Sequence, residues 1–303
     1  MNRFLYISGI WLLSFVIFFG GNTQNVQAQS PIPDGSEVER VASGFQFTEG
    51  PFWDSTGELL FSDIPANTIF KWTPGGEAEV YIKPSGHSNG IDSDAEGRLV
   101  LAQHDRKISR VEDDGEMTVL ADSYKGKKLN SPNDLVVSSD GSIYFTDPPF
   151  AIDEDQQELD FNGVYRIAPD GSLHLLIDDF DLPNGIALSP DESILYVNDS
   201  GRNHVRAFDL SGDGTVSNGR VFAEMKDPKA KGSADGMKVD AKGNVYTTGP
   251  GGIWIFDPDG NLLDRTPVPQ QPSNLAWGDE DMKTLYITAR TGLYRIRTNI
   301  GGE

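Results

Sequence analysis

The sequence predicts an all-β fold, a six-bladed β-propeller with four-stranded antiparallel blades around a central axis. Three observations predict it. First, one unit recurs six times: a polar turn, a short apolar run, an Asp/Ser-rich turn, then an aliphatic or aromatic strand. The copies read TEGPFWDSTGELLF from Thr48, HSNGIDSDAEGRLVL from His87, SPNDLVVSSDGSIYF from Ser131, LPNGIALSPDESILYV from Leu182, SADGMKVDAKGNVY from Ser233 and PSNLAWGDEDMKTLYI from Pro272. Second, one polar position aligns as a column, Glu49, Asn89, Asn133, Asn184, Asp235 and Asn274, at intervals of 40, 44, 51, 51 and 39 residues. That period is the length of a propeller blade. Third, each unit holds alternating β-branched and aromatic runs, with Asp-Gly turns such as Asp140-Gly141 and Asp170-Gly171.

Residues 1–28 read as a targeting segment. Arg3 is the only charge, an apolar run covers residues 4–19, and the small residues Val26 and Ala28 fit cleavage before Gln29. The run is short for a membrane span, and the alternative is an uncleaved anchor. The expected location is the periplasm or the exterior. Residues 29–35 read as a linker containing Pro and Ser, and residues 36–303 as one propeller domain. Residues 36–44 alternate weakly and stand before the first unit, whereas the last unit is one strand short. They are expected to complete the last blade, so that the ring closes without a free edge.

In the third unit the strands are expected at 134–138, 142–146, 163–168 and 173–178. The insert 148–162 interrupts them, and loops of this length in compact domains are functional or disordered. No amphipathic helix is legible after the leader.

Composition narrows the partners. The chain has 303 residues, a formal net charge of −21, 37% hydrophobic residues and no cysteine. Such an acidic surface excludes nucleic acid and anionic membrane as partners. The absence of cysteine excludes thiol catalysis and thiolate metal sites. What remains is a small-molecule ligand, no membrane association after leader cleavage, and a monomer or weak oligomer.

The column carries the chemistry. In a propeller the turn entering each innermost strand lies beside the axis, so six oxygen-bearing side chains are expected to meet there. Two are carboxylates and four are amides, an environment for a hard cation. Glu is a poor turn former, so Glu49 is not explained by turn chemistry. Asp235 and the Asn residues could by themselves be turn residues.

Glu49-Gly50-Pro51, Ser131-Pro132-Asn133-Asp134, Pro183-Asn184-Gly185 and Ala234-Asp235-Gly236 resemble the gluconolactonase/regucalcin (senescence marker protein) family over roughly residues 38–300. GHSNG at 86–90, AQH at 102–104 and YFTDPPF at 144–150 resemble its bacterial gluconolactonase branch. The resemblance implies a propeller lactonase with one divalent cation on the axis, Ca²⁺ first, with Zn²⁺, Mn²⁺ or Mg²⁺ as alternatives. It implies Glu49, Asn184 and Asp235 as metal ligands, with Asn133 either a ligand or a substrate contact. It carries nothing to Asn89 or Asn274.

His87 and His104 flank the same mouth. With Asn89 and Asn133 they are candidate substrate contacts, and each His is a reserve proton carrier. His174 and His204 read as surface or packing residues. Asp63, Asp147 and Asp199 read as turn formers between second and third strands. No Gly-x-Ser-x-Gly elbow occurs, and Gly249–Gly252 is a loop with no helix after it.

The expected reaction is metal-assisted hydrolysis of a sugar lactone of the glucono-1,5-lactone type, with Asp235 as general base. The alternatives are a metal-dependent phosphotriesterase or arylesterase, and a non-catalytic calcium- or sugar-binding propeller.

Overall fold

In the computed structural model, which describes Met1 and residues 30–302, six four-stranded antiparallel sheets stand in a ring. Apart from Met1, the leader expected over residues 1–28 lies outside the described residues. The first blade runs outward through Thr48–Trp53, Leu59–Asp63, Thr68–Trp72 and Glu79–Ile82. The third runs through Leu135–Val137, Ile143–Asp147, Asn162–Ile167 and Leu173–Phe180, within two residues of the strands read from sequence. Its Asp-Gly turns have the expected left-handed glycines, Gly141 at φ +85° and Gly171 at φ +83°.

The last blade closes as predicted. Pro272–Gly278, Thr284–Ala289 and Gly292–Arg297 are completed by Glu39–Ser43 from the chain's other end. Glu39 pairs with Arg295 in register, and their side chains meet at 2.8 Å. Residues 30–35 differ from the expected linker. Ile32 is buried in one cluster with Leu275 and Trp277. The Asn299 N–H donates to the Pro31 carbonyl (2.9 Å), and its Nδ2 donates to the Ser30 carbonyl (2.8 Å). These partners are distant in sequence, so local composition carries no sign of them.

The core is divided among the seams. Six apolar clusters form, one at each junction of neighbouring blades; Leu60 and Ile69 meet Ile91 and Leu101, and Ala187 and Tyr196 meet Met237 and Val245. Second strands are buried throughout, as in Leu59–Asp63 and Leu99–Gln103, because they face a blade on each side. Outer strands are half in solvent and leave Val80, Val119, Val221 and Leu262 exposed.

The three recurring aspartates are structural, with partners other than those expected. Each fastens the chain entering the first strand of its own blade. Asp63 accepts from the N–H groups of Gln46 (2.9 Å) and Phe47 (3.1 Å), Asp147 from Asn130 (2.8 Å), and Asp199 from Asp181 (3.0 Å) and Leu182 (3.2 Å). Asp199 alone also holds the turn that follows it, through Gly201 (2.9 Å) and Arg202 (3.1 Å). The insert 148–162 is packed. It contains one 3-10 turn, Glu154–Gln156, buries Leu159, and is tied down by Asn130 Nδ2 donating to the Phe161 carbonyl (3.1 Å).

Candidate active site

At the column residue the first strand leaves its ladder in five blades, and in the last blade the slip falls one residue earlier, at Ser273. The register slips between Glu49 and Phe52, Ser88 and Ile91, Pro183 and Ile186, and Pro272 and Asn274. In the third and fifth blades regular pairing begins only after it, at Leu135 and Met237. Such a break frees one residue and re-aims its side chain. The freed carbonyls are held by the preceding blade instead. Ser62 Oγ donates to the Asn89 carbonyl (2.9 Å) and Thr146 Oγ1 to that of Asn184 (2.8 Å). The Gly90 N–H donates to the Asn133 carbonyl (2.8 Å), and that of Gly185 to Asp235 (2.9 Å). The glycines after column residues follow from this crowding. Gly50 has φ +49°, and a Cβ there would overlap the Asn89 carbonyl. A Cβ on Gly236 would overlap the Asn274 side chain.

The column ends in a cavity of about 320 Å³. Glu49, Asn133, Asn184 and Asp235 line it together with Asn89 and His104, and Phe47, Ile64, Phe150 and Leu182 supply apolar wall. Six of the seven residues singled out from sequence therefore share one cavity. His87 stands apart, half-exposed, with Nδ1 2.8 Å from an Asp105 carboxylate oxygen. Asn274, the sixth member of the column, does not line the cavity. Its Nδ2 donates to Asp134 Oδ2 at 3.3 Å.

The cavity concentrates negative charge. Glu49 is 2% exposed, and the Gly50 N–H donates to its Oε2 at 2.6 Å. Burial, then the charges of Asp235 and Asp134, push its carboxyl well above the usual range. Asp235 is partly open to the cavity but lies deep in the molecule. Burial chiefly pushes it up to about 7; Asp134 adds to this, and a hydrogen bond from the Asn184 side chain opposes it. His104 goes the other way. Burial, and then His87, bring it down to about 4. At neutral pH it is uncharged, and its Nε2 accepts from Asn89 Nδ2 at 3.1 Å. Asn89 Oδ1 is then buried with no hydrogen-bond partner.

Sequence reasoning passed over Asp134. It is 2% exposed and crosses the axis to Asn274, and its carboxyl is raised, first by burial. A signal was present. The residue after the column position is Gly in four copies (Gly50, Gly90, Gly185, Gly236), but Asp134 and Leu275 in the others. A Cβ on Gly90 would press on Asp134, which fills space the glycines leave open.

Buried like charges at close range are costly without a counter-charge. Among the described residues no three His, Cys, Asp or Glu side chains form a metal-holding group. The ring's donors are instead two carboxylates and two amides, all oxygen. That set fits a hard divalent cation.

Comparison with known proteins gives a consistent likeness. The model of the SMP-30/gluconolactonase/LRE-like region matches residues 47–291. A gluconolactonase from Zymomonas mobilis subsp. mobilis is 39% identical over 293 residues, covering 88% of this chain and 82% of that protein. A regucalcin from Oryctolagus cuniculus is 28% identical over 258 residues, covering 81% and 84%. The solved structure of a gluconolactonase from Xanthomonas campestris superposes with a TM-score of 0.81 at 36% identity, covering 88% of this chain and 91% of that one.

Proposed function

The chain belongs to the SMP-30/gluconolactonase/LRE-like family and is a lactonase, a carboxylic ester hydrolase; we propose that its axial cavity hydrolyses a sugar lactone of the glucono-1,5-lactone type to the aldonic acid. The observation that carries this reading is the pair of column carboxylates, Glu49 and Asp235, crowded together beside the axis in one cavity.

Glu49, Asn133, Asn184 and Asp235 would hold one divalent cation, with Ca²⁺ first because every donor is an oxygen. Bound there, the cation would supply a Lewis acid for the lactone carbonyl and remove the mutual repulsion of the carboxylates. Glu49 is the anchor, being buried and fixed by the Gly50 N–H. Asn184 Nδ2 donates to Ser200 Oγ at 3.1 Å, which fixes its amide plane. Asp235 is the general base. Partly open to the cavity, it takes a proton from water as the water oxygen bonds to the carbonyl carbon. The ring C–O bond then breaks, and the proton passes to the departing alkoxide. Burial keeps this carboxylate more basic than a free one, against the downward pull of a bound cation. Neutral His104 holds Asn89 as a substrate contact and carries no proton in this scheme. Asn133 contacts substrate or cation.

Residues 1–28 act in this reading as an export leader cut before Gln29, giving a periplasmic or secreted enzyme. Intact Met1 on a cytosolic protein would contradict that. The activity is tested by following acidification of a weakly buffered glucono-1,5-lactone solution. With Ca²⁺, Mn²⁺, Zn²⁺ or Mg²⁺ present, the purified protein should exceed the spontaneous rate; no acceleration with any of them would leave a binding propeller as the better reading.

A further inference from the structure

Arg290 stands beside the axial cavity. It opens the two-residue turn between Thr284–Ala289 and Gly292–Arg297. Its φ is +47°, a left-handed conformation that it shares with Arg106, Lys125, Glu192 and Met282, so the backbone marks the turn and its surroundings must mark the site.

The guanidinium has no carboxylate partner among the described residues. Of the described arginines, only Arg290 and Arg40 make no ion pair. Arg40 lies on the outermost strand of the last blade, away from the cavity. An unpaired arginine is unexpected in a chain of net charge −21. Arg290 is fixed beside the site. Its Cζ lies 5.3 Å from the ring centroid of Phe47, which lines the cavity. Its carbonyl accepts from the N–H of Thr48 (2.7 Å), next to Glu49. The cavity lining itself contains no Lys or Arg.

We propose that Arg290 is a specificity-determining residue that receives an oxyanion, carboxylate or phosphate, carried by the substrate at the end remote from the lactone carbonyl. This rests on the lactonase reading. With the carbonyl at the polar floor, the far end of the substrate points away from the carboxylates, towards the side of the cavity where Arg290 stacks on Phe47. A planar guanidinium suits either oxyanion through paired N–H donors.

The test is a comparison of kcat/KM for glucono-1,5-lactone with that for the lactones of 6-phosphogluconic and glucaric acids. It uses the purified protein, Arg290→Asn and Arg290→Lys. The wild type should prefer the oxyanion lactones by about tenfold, the scale of one charge-assisted contact. Arg290→Asn should lose that preference through KM, while any change in kcat should fall equally on neutral and oxyanion lactones, and Arg290→Lys should keep part of the preference. Asn accepts the left-handed turn more readily, so Arg290→Asn should also melt about 2 °C higher. Lost preference in a more stable protein would rule out damage to the fold as the cause. Equal kcat/KM for neutral and oxyanion lactones in the wild type, or equal losses on both in Arg290→Asn, overturns the assignment. Calorimetric binding of 6-phosphogluconate against gluconate separates the two failures. If no lactone is turned over, the lactonase reading falls, while tighter 6-phosphogluconate binding that Arg290→Asn removes still supports Arg290. Equal binding of the two acids refutes it.

Discussion

The inner ends of the first strands and the strands just outside them follow opposite rules. Second and third strands pair without a register shift in all six blades. First strands lose or have not yet begun their pairing at the column residue or one residue beside it in all six. The second strands are apolar and buried at the seams, where area removed from water stabilises the fold. The column is polar and buried, which costs stability unless each group finds a partner. The ring is therefore the place where the fold gives up stability to aim side chains. Mutations there should cost activity and spare the fold, and mutations at the seams should do the reverse.

The largest effect should come from Asp235→Asn. Turnover of glucono-1,5-lactone should fall by about 10³-fold, within the usual range for a lost general base, with the melting temperature held or raised. Near-normal activity would remove Asp235 as the base and bring His104 forward. Next is the seam. Removing residues 36–44 should open the last blade and abolish cooperative melting. Leu101→Ala, a milder change at a wholly buried position, should cost about 3 kcal/mol and leave kcat within about twofold. A seam variant that lost activity before stability would break the contrast. Glu49→Gln should weaken Ca²⁺ binding by more than about tenfold, at least the effect of losing an outer-shell partner, and excess cation should restore part of the turnover.

The smallest effect is in pH. Cation-free folded Asp235 titrates at about 7, above an unfolded Asp near 3.9. The folded state thus keeps a proton the unfolded state has released. Stability should be fully present below about pH 4 and fall as pH rises towards 7; Glu49 shifts in the same direction. Melting of the EDTA-treated protein between pH 4 and 8 should show this slope, and Ca²⁺ should flatten it. A melting temperature that rose over that range without cation would contradict the crowding of the two carboxylates.

Much of this was legible in the chain. The repeat exposed the propeller, the column and the closing strand, because each depends on a period or a missing strand that sequence alone displays. The four proposed ligands and Asn89 fell into one cavity for the same reason: equivalent positions in different blades are related by rotation about one axis, and His104 joins them from the end of the second strand, against Asn89. What was hidden depended on contacts between distant parts of the chain. Ile32 is buried by Leu275 and Trp277, Asp134 reaches Asn274 across the axis, and His87 turns to Asp105. Arg290 was not singled out, because neither its backbone conformation nor its place beside Phe47 is written in its neighbours.

The most direct measurement is a crystal structure of the protein grown with Ca²⁺. The central claim predicts one ion on the axis, with oxygens of Glu49, Asn133, Asn184 and Asp235 at about 2.3–2.6 Å from it. An ion bound elsewhere, or these four oxygens more than about 6 Å from one another, far outside calcium's ligand shell, would contradict it.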